Sequence, residues 1–128
     1  MVKSPGAAMS AFRRGVLKRD GTTCQRCGVD VTSKFASIQH RIPRGRGGSN
    51  RTERISNGVL VCGSATTPGG CHNWMENEEP KEAEKQGWCL PMNNPDINPE
   101  EEPILTIHGW VVLLDDGSRI PYTGEGAA

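Results

Sequence analysis

The sequence is poor in aromatic residues and contains no long apolar run. Only 5% of its 128 residues are Phe, Trp or Tyr, whereas glycine (16 residues) and proline (9 residues) are plentiful. A chain of this length and composition forms one domain with a modest core, which is typically reinforced by a constraint such as a metal ion. The longest apolar run, residues 110–114, is far shorter than the roughly 20 residues that span a bilayer. The N-terminus also lacks the apolar core of a secretory signal, so we expect a cytoplasmic protein without membrane contact.

Net charge is zero, but the two signs are segregated along the chain. Residues 1–54 hold 12 basic and 3 acidic residues, a net charge of +9, and residues 55–128 hold 3 basic and 12 acidic residues, a net charge of −9. Such asymmetry favours a polyanion as the partner of the first half. The alternative is that the opposite charges pair with one another inside the fold.

Cysteines are five in number, and an odd count without a secretory signal argues against a disulfide framework. Cys24 and Cys27 form a C-x-x-C knuckle, and Cys62 and Cys71 form a second pair around a glycine-rich loop. We predict that these four thiolates hold a structural zinc ion, since they complete its tetrahedral shell and leave no open position. Cys89 remains as a spare thiol. Buried free thiols are the alternative, and a thiol redox role is disfavoured because the thioredoxin-like strand and helix context is missing.

The chain order predicts an α+β arrangement. Residues 1–9 form a disordered tail, and Ser10 caps a helix that runs to residue 18 or 19. A hairpin follows, with a first strand near residues 37–42 and a basic, glycine-rich loop at 43–50. Residues 55–60 then lead into the second strand, whose apolar content is Val59, Leu60 and Val61. A helix then runs from His72 to residue 85 or 86, with a break at Pro80. After a proline- and acid-rich linker at 91–103, the Asp116-Gly117 turn predicts a C-terminal β-hairpin over residues 104–122.

These motifs, taken together, resemble the HNH nucleases, which are ββα-metal endonucleases that often carry a structural zinc. The resemblance rests on Cys24-Gln-Arg-Cys27, on His40-Arg-Ile-Pro-Arg-Gly-Arg-Gly-Gly, on Asn57 five residues before Cys62, and on Cys71-His72. The small HNH proteins of phages of actinobacteria are the most similar in pattern. The resemblance implies a small zinc-stabilised ββα-metal domain over residues 10–90, flanked by the N-terminal helix. The linker and C-terminal hairpin of residues 91–128 would pack on the same domain.

The resemblance also assigns roles to individual residues. His40 matches the general base, Asn57 the asparagine that braces the loop and orients that base, and His72 a ligand of the catalytic metal. Glu76 lies one helical turn after His72 and is a second candidate ligand. That metal would be Mg²⁺ or Mn²⁺, with Ni²⁺ or Zn²⁺ as further options.

Position 39 departs from the family pattern, which usually has Asp or His there as a metal ligand. Gln39 leaves three readings open: it ligates through its carbonyl oxygen, water replaces it, or catalysis is lost. His72 also has an alternative role, as a ligand of the structural zinc in place of one cysteine.

Double-stranded DNA is the partner that the resemblance implies, with a phage packaging terminase as an additional one. The candidate DNA contacts are basic residues of the helix and the loop: Arg13, Arg14, Lys18, Arg41, Arg44 and Arg46. An ordinary solvated face is the alternative for the helix. Two other functions compete with the nuclease: a non-catalytic zinc module that binds DNA or protein, and a structural zinc protein without a nucleic-acid role.

Overall fold

The computed structural model describes residues 5–45 and 50–124, which form a mixed α and β fold. The first helix, α1, is Pro5–Asp20. It begins five residues before Ser10, so Ser10 is not its N-cap and residues 5–9 are helical instead of a tail. Alanine and methionine at positions 7–9 are strong helix formers, and a proline is tolerated in a first turn. Residues 1–4 of the predicted tail lie outside the described residues.

Helix α1 packs closely against the strand that begins at Gly58. Phe12 and Val16 are buried on its inner face. A Cβ atom added to Gly58 would lie 2.4 Å from the Phe12 ring, so the close approach requires glycine at the start of this strand. The C-terminal end of the helix is fixed as well, because the backbone N–H of Leu60 donates to Asp20 Oδ2 at 3.0 Å.

A two-stranded antiparallel hairpin lies at the centre of the fold. Its strands are β1 (Ala36–His40) and β2 (Gly58–Cys62), with Ile38 opposite Leu60. β1 ends two residues before the predicted end at residue 42, whereas β2 contains the predicted apolar residues Val59, Leu60 and Val61. Ile55–Asn57, in the stretch predicted to lead into this strand, form a 3-10 turn.

The helical segment after the second cysteine pair is interrupted, as predicted from Pro80. It consists of α2 (Cys71–Asn73), a π-helical turn (Trp74–Glu78) and α3 (Pro80–Lys85). Pro80 has no N–H to continue a helical ladder, so it starts the next helix instead. Gly87 follows the segment with a φ of +86°, and a Cβ atom there would lie 2.1 Å from the Pro103 carbonyl oxygen.

The C-terminal region is a three-stranded antiparallel sheet and not the predicted two-stranded hairpin. Its strands are β3 (Ile104–Thr106), β4 (Gly109–Leu113) and β5 (Arg119–Pro121), in that spatial order. The additional strand arises because residues 107–108 form a tight turn that Gly109, with a φ of +85°, completes. The predicted Asp-Gly turn joins β4 to β5. In the linker, a 3-10 turn at Pro99–Glu101 precedes β3.

One hydrophobic core joins the hairpin, the helical segment and the C-terminal sheet. Its buried members include Val59, Val61, Met75, Trp88, Ile104, Val111 and Leu113. Among the described residues, no helix has both the length and the apolar character needed to cross a bilayer.

Candidate functional site

The four predicted zinc ligands converge on one point. Cys24 and Cys27 come from the knuckle before β1, Cys62 ends β2, and Cys71 starts α2. Their four Sγ atoms all lie within 4.8 Å of one another. The knuckle is closed by a hydrogen bond from the Gly28 N–H to the Cys24 carbonyl at 2.9 Å. One knuckle, the end of β2 and the start of α2 therefore meet at the sulfur cluster.

The spacing of the sulfurs suits a tetrahedral zinc ion. Zinc–sulfur bonds of about 2.3 Å place two ligands of a tetrahedron about 3.8 Å apart, and the Cys27 and Cys62 sulfurs are 3.9 Å apart. Four soft thiolate donors select zinc over magnesium or calcium. The group can thus hold a metal ion and is compatible with structural zinc.

Electrostatics within the cluster also favour a cation. The hydrogen bond from Cys71 lowers the pKa of the Cys24 thiol to about 4, against the opposing effect of burial. The same contact, together with burial, raises the pKa of Cys71. Burial likewise raises the pKa of Cys27. One thiol ionises readily, and its negative charge opposes ionisation of its neighbours. A divalent ion removes that opposition by neutralising the thiolates.

The fifth cysteine lies apart from this cluster. Cys89 is half-buried, its Sγ atom is 3.6 Å from the Met75 carbonyl oxygen, and the Gln39 amide lies 3.7 Å from it. Burial, with the nearby charges of Glu76 and Glu84, raises the pKa of this thiol to about 11. Cys89 is therefore a neutral thiol at pH 7, as expected for the spare cysteine.

The His72 ring is oriented by Ser37 of β1. Ser37 Oγ donates to the Gly63 carbonyl and lies 2.5 Å from His72 Nδ1. Because the hydroxyl proton is already used, Oγ accepts from Nδ1–H, which leaves Nε2 as the basic nitrogen of the neutral ring. That Nε2 atom is 3.7 Å from Glu76 Oε1. The predicted pair of metal ligands at i and i+4 is thus side by side.

Gln39 lies on the same side of the hairpin and is 1% exposed. Its Nε2 atom donates to the Trp88 carbonyl at 3.0 Å. Its Oε1 atom is buried and has no hydrogen-bond partner. Since buried acceptors are rarely left without a partner, this amide oxygen is free to accept a water molecule or to ligate a metal ion.

His40 is held between the first helix and the segment that joins β1 to β2. Its ring stacks on Phe12, with the centroids 4.9 Å apart and the planes at 25°. Its Nε2 atom is 3.3 Å from Glu53 Oε2, and the other oxygen of this carboxylate accepts from Arg44 Nε at 2.8 Å. Sequence reasoning missed Glu53, although it is the only acidic residue in the stretch 31–75.

Asn57 braces the loop between the strands, as predicted, but through the backbone of the loop. Its Oδ1 atom accepts from the Ile42 N–H at 2.7 Å, and its Nδ2 atom donates to the carbonyls of Ile42 and Thr52 at 3.1 and 3.0 Å. The side chain is fully buried. Asn57 therefore closes both ends of the loop and does not hydrogen-bond to His40 in the part of the chain that the structure describes.

The predicted base, His40, and the predicted metal ligand Gln39 project from opposite faces of β1. His40 faces α1 through Phe12, whereas Ser37 and Gln39 face the helical segment, where Ser37 contacts His72. This is the alternation expected along a strand. No hydrogen bond between His40 and His72 occurs within residues 5–45 and 50–124. Within those ranges β1 pairs only with β2, so its other edge pairs with no strand.

Apart from Arg41, the basic residues predicted to contact DNA fall into three groups. Arg13, Arg14 and Lys18 are exposed on α1, and Arg44 is exposed but paired with Glu53. Arg46 lies outside the described residues. Elsewhere the opposite charges of the two halves do pair, because Arg54 contacts both Asp115 and Glu100.

The prediction for Arg41 is wrong. Its side chain is 0% exposed and donates to the carbonyl oxygens of Ser56, Gly87, Pro99 and Glu102 at 2.8–3.2 Å. Burial lowers the pKa of the guanidinium to about 9, so it remains charged at neutral pH. Arg41 follows β1 directly, and its planar donors fix the hairpin to the linker instead of reaching a phosphate.

No family model, curated protein or solved structure matches this chain. The chemistry of the site therefore has to follow from its own residues and their geometry.

Proposed function

We propose that this protein is a metal-dependent endonuclease of the HNH type that hydrolyses phosphodiester bonds of double-stranded DNA. The observation that carries the proposal is the state of His72. Its Nδ1 atom lies 2.5 Å from Ser37 Oγ, and its Nε2 atom lies 3.7 Å from the Glu76 carboxylate. Histidines that ligate metals characteristically donate the other ring N–H to a fixed acceptor. The arrangement of His72 has this form.

Three side chains on this side of the hairpin would hold the catalytic ion. They are His72 through Nε2, Glu76 through its carboxylate and Gln39 through the unpartnered Oε1. One imidazole, one carboxylate and one amide oxygen suit a divalent ion such as Mn²⁺ or Mg²⁺. Such an ion, when bound, stabilises negative charge on a scissile phosphate and on the leaving oxygen.

His40 would act as the general base. It would take a proton from the attacking water while the new oxygen–phosphorus bond forms and the bond from phosphorus to the 3′ oxygen breaks. The leaving oxygen would take a proton from solvent. A neutral histidine suits this step at physiological pH and typically accelerates it by about a hundredfold to ten-thousandfold.

The exposed cations of α1 would bind the DNA backbone. Arg13, Arg14 and Lys18 are exposed on the helix whose Phe12 stacks on His40. Lys18 lies one turn after Arg14 on the same face of the helix. The family resemblance extends the proposal to a phage-encoded protein that acts in the host cytoplasm, with the packaging terminase as a candidate partner.

Nicking of supercoiled plasmid tests the proposal. Zinc-loaded protein is incubated without added divalent ion, with Mg²⁺ and with Mn²⁺, as wild type, His40→Ala and His108→Ala. His108 is exposed in the turn between β3 and β4 and serves as the matched control. We expect metal-dependent open circles with wild type and His108→Ala, and none with His40→Ala. Equal nicking by all three proteins would mean a contaminating nuclease.

A zinc-stabilised module that binds DNA or a protein partner without cleaving it is the second candidate. It is favoured by the Gln39 side chain, whose amide bonds to the Trp88 carbonyl and which carries no charge to attract a cation. This candidate predicts DNA binding that is indifferent to Mg²⁺, to Mn²⁺ and to His40→Ala. Folded wild-type protein that binds plasmid without nicking it would establish this module in place of the nuclease.

A further inference from the structure

We infer that Glu53 is a positioning residue that holds His40 in a single tautomer with Nδ1 as its basic atom. The inference rests on the proposed nuclease function, in which His40 removes a proton from water. It assigns a role to Glu53, the one acidic residue of the stretch 31–75, for which neither the nuclease motif nor the cysteine cluster provides one.

The contact itself determines the tautomer. Glu53 Oε2 lies 3.3 Å from His40 Nε2. An ionised carboxylate only accepts hydrogen bonds, so Nε2 must carry the hydrogen, and the lone pair of the neutral ring is on Nδ1. No hydrogen bond among the described residues occupies Nδ1. The nitrogen that remains available to a water molecule is therefore fixed by the carboxylate on the other side of the ring.

Glu53 is itself held in place. Its side chain is 9% exposed, and its Oε1 atom accepts from Arg44 Nε at 2.8 Å. The preceding residue, Thr52, is anchored because its carbonyl accepts from Asn57 Nδ2 at 3.0 Å. Asn57 thus reaches the base indirectly, through Thr52 and Glu53. Together with the Phe12 stack, these contacts constrain both the plane and the rotation of the imidazole.

A carboxylate in this place acts at two stages. Before the reaction it keeps Nδ1 unprotonated and oriented, which fixes the acceptor of the water proton. After proton uptake it stabilises the imidazolium by charge and hydrogen bonding. Arg44 neutralises part of the carboxylate charge and so limits its repulsion of a DNA phosphate.

Two substitutions of Glu53 distinguish the hydrogen bond that orients His40 from the negative charge of the carboxylate. Glu53→Ala removes the acceptor, and we expect kcat for nicking to fall by about tenfold to a hundredfold with little change in KM, the usual scale for a partner that orients a histidine. Glu53→Gln keeps an amide oxygen that can accept from Nε2–H, so it should retain more activity than Glu53→Ala. Glu101→Gln, on an exposed carboxylate, is the matched control. A rise in kcat with Glu53→Ala would instead show that Glu53 blocks His40, and equal losses in both variants would exclude the hydrogen-bond role.

The second readout does not depend on nuclease activity. Nitrogen-15 NMR of the imidazoles, with His40 identified through His40→Ala, reports which ring nitrogen carries the proton. We expect a protonated Nε2 and an unprotonated Nδ1 in the wild type near pH 8, and a mixture of tautomers in Glu53→Ala. If wild type never nicks DNA but shows this tautomer, the nuclease proposal fails and the Glu53–His40 pairing stands. If wild type nicks DNA and the tautomer is unchanged in Glu53→Ala, the positioning role is overturned.

Discussion

Arg26 Nη1 donates to the Sγ atom of Cys71 at 3.3 Å, and the guanidinium carbon of the same residue lies 3.4 Å from the centroid of the Trp74 ring. The contact links the first knuckle to the start of the helical segment. Four thiolates around one zinc ion carry a net charge of −2, so a cationic donor at a sulfur reduces repulsion within the site. The stack on Trp74 keeps this donor in place.

The sulfur cluster predicts a sharp difference between two cysteine substitutions. Cys71→Ser removes a ligand, and we expect zinc loss and a fall in melting temperature of at least about 10 °C, since 2–3 kcal/mol has an effect of that size in a domain of this length. Cys89→Ser is the control, because Cys89 lies outside the cluster. Zinc content by atomic absorption and thermal melting by circular dichroism measure both. Equal zinc content in the two variants would contradict the four-cysteine site.

Arg41 should determine stability and not DNA affinity. Arg41→Met leaves four carbonyl oxygens without their donors, and we expect a loss of about 3–5 kcal/mol in the free energy of unfolding, measured by urea denaturation. DNA affinity, measured well below the melting temperature, should remain that of the wild type. A folded Arg41→Met protein with full stability and weakened DNA binding would restore the original prediction.

The salt dependence of DNA binding tests the basic face of α1. Replacing Arg13, Arg14 and Lys18 together with alanine removes three phosphate contacts. The slope of log affinity against log salt should then become less steep by about 2.7, since each phosphate contact contributes about 0.9. Fluorescence anisotropy on a DNA duplex between low and moderate salt gives the slope. The control is the double variant Lys81→Ala/Lys85→Ala, which removes two exposed cations of α3. The same slope in all proteins would remove α1 from the interface.

Several local features of the fold were predictable from the sequence. The cysteine cluster was predictable, because ligand type and short spacing restrict the geometry to a few arrangements. The break at Pro80 and the turn at Asp116-Gly117 were predictable for the same local reason. Each depends on a residue whose backbone chemistry admits few conformations.

Contacts between residues far apart in the chain were harder to predict from the sequence. Arg41 stands in a run of basic residues, and nothing in that run indicates that its side chain turns inward to carbonyls up to 61 residues away. Glu53 becomes informative only when the loop folds back and brings it beside His40, 13 residues earlier. Local patterns carry residue types and spacing, whereas such contacts depend on tertiary packing.

Gln39 offers a test of the catalytic metal site. The substitution Gln39→Glu preserves the shape of the side chain almost completely, but it replaces the unpartnered oxygen and the amide with a carboxylate. We expect lower stability without divalent ion, because the donor to the Trp88 carbonyl is lost and a charge is buried. Mn²⁺ should raise the melting temperature of the variant more than that of wild type, since a carboxylate binds the ion more strongly. An identical Mn²⁺-induced shift in both proteins would place residue 39 outside the metal site.

Asp115 predicts how stability responds to acid. Partial burial raises the pKa of this carboxyl, but hydrogen bonds from the Ser56 side chain and backbone and the contact with Arg54 outweigh it, so the pKa is lowered on balance. A pKa lower in the folded than in the unfolded chain stabilises the fold above the unfolded value, about 3.9, and this contribution disappears as pH falls through the folded value. The free energy of unfolding should therefore be lower for Asp115→Asn than for wild type at pH 7, and the difference should shrink below about pH 4.

Urea denaturation at several pH values between 7 and 3 measures that difference. If the four cysteines hold zinc, protonation of their thiolates would destabilise both proteins in acid. The quantity to follow is therefore the difference in stability between wild type and Asp115→Asn at each pH, and not either stability alone. Asp96→Asn, on an exposed loop carboxylate, is the matched control for the exchange. A gap that stayed constant down to pH 3 would show that the contacts of Asp115 with Ser56 and Arg54 do not depend on its charge. We would then expect the acid sensitivity of the fold to arise at the cysteine cluster, where protonation of the thiolates would release a bound zinc ion.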